Sequence, residues 1–434
     1  MTNKLLLVML SFVIGLLIVD TSANRIMRFL GISLSTDVTL LLFYVLAVIY
    51  LAALVLVLKL MKSNLGELFP EGHTKFTTTL RIVTFVQYGL AGLLAVIILE
   101  MFLTNNYHPH LARVIVSISY LQSFFFIGFL AYKFILWFRA TRSHVLMFYT
   151  LAVGSLFIHA IFTFLHLNAS FDEYVDYLGP GTVAFVPTPA SWLILGFQVT
   201  SILSYIFVWI ASVIVLRDHS YKFGKLGYWT AVGLPIVYFA FQFSPLILQL
   251  FAEYRISEPV LFGLYYTIIF GISQPIGGIF FGYAFWTAGR KIDNQRINNF
   301  LLLSAVGIIL FFTSNQPIIL SGLLYPPFGL ITNSFLGVAS YVLFLGVYFI
   351  AISINQDVAI RRMIKRSLKE STSLLGTIAA SEMHQQISKK IVKLRGELSE
   401  QLDQDVTIDP TLSSDDVKNY IDEVLKEIKK GDEE

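Results

Sequence analysis

Apolar runs approaching 20 residues follow one another as far as Ile354, separated by short polar gaps, and then stop. Runs of that length match the roughly 30 Å hydrocarbon core of a bilayer when wound as helix. Beyond Asn355 the chain changes character: 29 of its 59 Lys, Arg, Asp and Glu residues fall in 355–434. Only a polytopic, all-α transmembrane bundle with a water-soluble helical tail accommodates both halves. The mean hydropathy of +0.71 agrees, as does a charged fraction of 14% against about 25% in soluble domains.

Ten spans are predicted, at 5–19, 38–60, 82–103, 114–138, 145–167, 191–216, 226–251, 260–288, 300–322 and 330–354. Basic residues gather in alternate gaps: Lys62, Lys75 and Arg81; Arg139 and Arg142; Arg217, Lys222 and Lys225; Arg290, Lys291 and Arg296. The gap at 168–190 holds Asp172, Glu173 and Asp176 without a base, and 323–329 holds no charge. Positive-inside bias therefore places the tail, and with ten spans the N-terminus too, in the cytoplasm of a cell-membrane protein. Arg25 and Arg28 in the first gap break the pattern. Trp137, Trp192, Trp229 and Trp286 fall near span ends, where amphipathic rings prefer the interface. Trp209 lies deeper. Lys4, a short apolar core and Thr21-Ser22-Ala23 also fit a signal peptide, whose cleavage would leave nine spans. Asp20 argues for a retained anchor instead.

The domain division follows from this pattern. Residues 1–354 form the membrane domain and 355–402 a juxtamembrane helix with a short coiled-coil-like stretch. A linker spans 403–414, and 415–434 form an amphipathic terminal helix. Arg361, Arg362, Lys365, Arg366 and Lys369 line one side of the first tail helix, where anionic headgroups would attract them. Ile387, Ile391, Leu394, Leu398 and Leu402 give a heptad-like seam. Val417, Tyr420, Ile421, Val424, Leu425 and Ile428 form a stripe that needs a partner, either a cytoplasmic protein or a second copy of the tail. The net charge of +3 gives no reason to expect nucleic acid.

Three polar–Pro steps interrupt successive spans: Ser244-Pro245, Gln274-Pro275 and Gln316-Pro317. Proline removes a backbone donor and kinks or breaks a helix, and nearby amides can satisfy the freed carbonyls. Gln242, Gln274, Asn315 and Gln316 are thus candidates to line a polar cavity in the outer half of the bundle. Their other role would be to mend kinks. Gly278-x-x-x-Gly282 just beyond Pro275 fits close helix packing.

Ionisable groups within the spans are few. Lys59, Lys133 and Glu100 lie near span ends, where long side chains reach for the interface. His159 is the deepest, with His166 two turns further along the same face. With Glu100, His108 and His110 they could form a metal or proton-relay site. No cofactor is predicted, although a metal ion or haem b stays open, haem being disfavoured by the lack of a facing His pair. The absence of Cys removes thiolate and Cys-ligated chemistry. No phosphate-binding loop, dinucleotide motif, zinc-protease motif or nucleophile elbow occurs, which weighs against an enzyme. The functional expectation is a sensor, receptor or signalling scaffold coupling the bundle to its tail. A transporter or channel with a cavity at the broken helices is the alternative, and a metal- or haem-dependent enzyme ranks third.

Overall fold

The structure is a computed structural model of the chain. It describes 3–30, 36–68, 74–170, 178–179, 183–184, 190–217, 220–241, 257–258, 273–289, 295–315 and 323–356, and 377–378, 380–382 and 385 of the tail, with backbone alone at several helix ends. The helices are α1 (Asn3–Leu30), α2 (Thr36–Leu68), α3 (Thr74–Thr104), α4 (Pro109–Thr141), α5 (His144–Ser170), α6 (Ser191–Arg217), α7 (Ser220–Phe241), α8 (Ser273–Gly289), α9 (Gln295–Ser314), α10 (Leu330–Ser334) and α11 (Leu336–Gln356).

Seven helices among the described residues are long and apolar enough to cross a membrane: Asp37–Lys59, Thr78–Thr104, Pro109–Thr141, His144–Ala169, Ser191–Arg217, Ile297–Ser314 and Leu330–Ser353. Each coincides with an expected span. The other three expected spans are helical where described. The first contributes the shorter apolar helix Ser11–Asn24. The seventh and eighth contribute α7 and α8, and 242–256 and 259–272 between them lie outside the described residues. The basic stretch 361–369, the seam 387–402, the linker and the terminal helix also lie outside them.

Local sequence sets the helix ends. Pro109 opens α4, where its missing N–H costs nothing. Arg142 closes it in the left-handed conformation and donates its N–H to the Phe138 carbonyl at 2.7 Å. α9 stops at Ser314, and Asn315 is already non-helical, as expected just ahead of a proline-containing step.

α11 is the centre of the bundle. An 18-residue apolar stretch within Leu330–Ser353 is 83% buried, against 33% for the corresponding stretch within Asp37–Lys59 and 28% within Thr78–Thr104. It packs between α9 and α4, while α5 bridges α4 to α6 and α8 leans on α9, α6 and α7. Small residues permit the tightest contacts. A Cβ on Gly307 would strike the Leu343 backbone, and one on Gly346 the Ser304 backbone. Gly278 lies against Ile309 and Phe312, and Gly282 against Ala305 and Ile309. The Gly278-x-x-x-Gly282 pattern therefore serves packing within the chain.

The face opposite the tail is tied together by loops. Val183 and Ala184 pair antiparallel with Leu324 and Leu323, a small ribbon in an otherwise all-α fold. Tyr107 bridges to Leu178 and donates its hydroxyl to the Leu324 carbonyl at 2.8 Å. The second half of α1 joins this assembly. Asp20 is fully buried, and its carboxylate accepts the Gly329 N–H at 2.9 Å, the Thr332 N–H at 2.9 Å and the Thr332 hydroxyl at 2.7 Å. Asn24 donates to the Phe328 carbonyl. The segment that resembled a cleavage region thus holds the entry into the central helix.

Candidate functional site

Two polar regions stand out in the membrane domain, one in the half away from the tail and one at the tail face. In the far half, Asn315 follows the last residue of α9 and is buried. Its side-chain carbonyl accepts the hydroxyl of Tyr120, a fully buried residue of α4, at 3.3 Å. The antiparallel register of α8 and α9, set by Gly282 and Gly278, puts Gln274 one turn further out, level with the end of α9. The Gln274 side-chain carbonyl and the Ser314 hydroxyl are both shielded and have no partner among the described residues. Pro275 is the third residue of α8. Two of the four expected cavity residues are therefore brought to one level. Gln242 and Gln316, with Pro245 and Pro317, lie outside the described residues. Nearby, Ser340 of α11 donates to Ser123 of α4 at 2.7 Å.

A fourth proline escaped the sequence reading because no polar residue precedes it. Pro235 lies inside α7, which is also interrupted at Gly224, φ 66°. The Tyr205 hydroxyl donates to the Pro235 carbonyl at 3.1 Å, and the Trp209 indole to the Val232 carbonyl at 2.9 Å. The depth of Trp209, away from any interface, was the available signal.

The histidines lie on one face, as their spacing requires, but a phenyl ring separates them. The His159 and His166 rings each lie 5.2 Å from that of Phe197. His159 Nδ1 also pairs with the Thr200 hydroxyl at 3.2 Å. Glu100 is occupied elsewhere, accepting the His108 backbone N–H at 3.0 Å and closing the turn between α3 and α4. Among the described residues, no three His, Asp or Glu side chains gather as a metal set. This geometry gives both histidines packing roles between α5 and α6.

At the tail face, the described tail residues dock on the end of α4. The Trp137 indole donates to a Glu382 carboxylate oxygen at 2.8 Å. The Ser381 hydroxyl reaches the Trp137 carbonyl at 3.0 Å and the Thr141 hydroxyl at 2.9 Å. Ser381, Ile378 and Trp137 are all buried. Trp137 was expected to meet the lipid interface, but the tail covers it. Lys133, one turn deeper, lies 5.1 Å from the centre of the Tyr348 ring of α11, a cation–π contact that joins the two central helices.

The spans and their lipid-facing surfaces, with Phe85 79% and Phe102 74% exposed, define an integral, multi-pass membrane protein. No family model, curated protein or solved structure matches the chain.

Proposed function

We propose that the protein is a membrane sensor or signalling scaffold in which α4 couples a polar centre in the far half of the bundle to the tail. The observation that carries this reading is the placement of both contacts on one continuous helix. Tyr120 bonds Asn315 where α9 breaks, and five turns later Trp137 and Thr141 hold Glu382 and Ser381. A rigid helix with a polar contact at each end can transmit a small shift if each contact has two arrangements. The alternation of basic gaps supports a cytoplasmic tail, and the apolar stripe of 417–428 supports a protein partner there or a second copy.

The test uses the natural absence of cysteine. With Thr141→Cys and Ser381→Cys, disulfide formation reports docking of the tail. Tyr120→Phe or Asn315→Leu is expected to change the rate of cross-linking while leaving the bundle folded by size exclusion. An unchanged rate in both variants overturns the coupling. A solute transport activity that survives deletion of 370–434 unchanged would favour the transporter alternative, which makes no use of the tail.

A further inference from the structure

The α3–α4 seam contains a separate polar centre that plays no part in the proposed coupling. α3 buries the stripe Val83, Gln87, Leu90, Leu94, Ile97 and Met101. The spacing alternates four and three, the period of a helix seam, and Gln87 is the polar member of the stripe. Gln87 Nε2 donates to Gln122 Oε1 of α4 at 3.0 Å. The Gln122 amide also lies against α11, where a Cβ on Gly337 would collide with it.

Two facing side-chain amides can bond reciprocally, each donating to the other. Here one of the two bonds is made. Gln87 Oε1, an acceptor, and Gln122 Nε2, a donor, are shielded and have no partner among the described residues. Each shares a carbon with an atom of the bond that is made, so a free acceptor and a free donor flank a single hydrogen bond. In hydrocarbon, polar groups of this kind need a partner.

We propose that Gln87 and Gln122 bind a hydroxyl group. One hydroxyl oxygen both donates and accepts, so it can donate to Gln87 Oε1 and accept from Gln122 Nε2. A carboxylate or an ether offers acceptors alone, an ammonium donors alone. Both glutamines are neutral, so the pair gives an ion no counter-charge. The hydroxyl belongs to a membrane lipid or to a water molecule. A lipid would come to the pair from the side, since α3 is the least buried of the seven apolar spans among the described residues. Tyr88 of α3 and Leu121 and Phe125 of α4, exposed beside the pair, provide an apolar wall for its chain.

The full-length protein in lipid nanodiscs is labelled with a diazirine-bearing long-chain alcohol and, separately, with the methyl ether of the same chain. A lipid hydroxyl predicts labelling of α3 and α4 peptides by the alcohol roughly tenfold above the ether, the ratio worth one added hydrogen bond of moderate strength. Gln87→Leu and Gln122→Leu should each abolish that preference, and the wild-type comparison stands even if a variant does not fold. A bound water predicts equal labelling, with an isolated oxygen between the two amides in a high-resolution experimental structure. Equal labelling with reciprocally bonded amides and no bridging oxygen overturns the proposal.

Discussion

Trp209 of α6 reaches the turn of α7 that precedes Pro235, and its indole N–H bonds a backbone carbonyl there. Proline supplies no N–H and its ring pushes the preceding turn away. In that turn the Val232 carbonyl receives Trp209 Nε1 at 2.9 Å. Trp209→Phe is expected to destabilise the protein by about 1 kcal/mol through the lost bond. In a Pro235→Ala background the new N–H serves the Ala231 carbonyl, four residues back, and relieves the clash that displaces this turn, so the Val232 carbonyl is less available to the indole and the same change should cost less. A double-mutant cycle of thermal denaturation in detergent checks this, and additive effects would show that the two residues act independently.

The tightest backbone approach in the bundle makes a sharper contrast. Gly307 and Gly346 lie on α9 and α11, with the Leu343 and Ser304 backbones where a Cβ would go. Gly307→Ala and Gly346→Ala are each expected to cost about 1–3 kcal/mol by overpacking. Gly89 and Gly92 of α3 have nothing within 4 Å of an added Cβ, so alanine there should be neutral or stabilising by up to about 1 kcal/mol through helix propensity. Thermal shift of the four variants in one detergent compares the two classes directly.

Burial explains why sequence located the helices better than their arrangement. Lipid and protein interior both select long apolar runs, so the runs mark the spans without saying which of them face lipid. The apolar stretches within Thr78–Thr104 and Leu330–Ser353 share a mean hydropathy of 2.3, yet one is 28% buried and the other 83%. Gly337 and Gly346 let neighbours approach α11, whereas Gly89 and Gly92 of α3 meet nothing, so the presence of small residues does not by itself say which span is central. The histidine spacing likewise put His159 and His166 on one face, but Phe197 comes from another helix and no local pattern points to it. The pairing of Asn315 with Tyr120 spans 195 residues and that of Trp137 with Glu382 spans 245. Such separations lie beyond periodicity, whereas the stop in α9 was legible because it follows from the Gln316-Pro317 step itself.

Asp20 anchors α1 to the start of the central helix through three donors. Asp20→Ala leaves these groups buried without an acceptor and is expected to destabilise the protein by about 3 kcal/mol, the cost of losing hydrogen bonds to a charged group. Asp20→Asn keeps the shape and one acceptor oxygen, and should cost less. Hydrogen exchange at the Gly329 and Thr332 amides should quicken in the alanine variant ahead of exchange elsewhere in α11. Uniform quickening would mean that α1 stabilises the bundle as a whole and not this turn in particular.

The tail contact can be tested apart from any ligand. Its bond from Trp137 to the Glu382 carboxylate is charge-assisted, a type worth about 1.5–3 kcal/mol, whereas the Ser381–Thr141 contact is neutral and weaker. Trp137→Phe keeps an aromatic ring, though a smaller one, and removes the donor. Removing about 1.5 kcal/mol from docking corresponds to roughly a tenfold fall in the docked-to-undocked ratio. In the Thr141→Cys, Ser381→Cys protein, the rate of disulfide formation should fall by a similar factor if the tail exchanges faster than it is oxidised. Glu382→Gln retains an acceptor but loses the charge, so it should fall between wild type and Trp137→Phe. If both variants cross-link as fast as the parent, docking depends on the buried contacts of Ile378 and Ser381, and the Trp137–Glu382 bond is incidental to it.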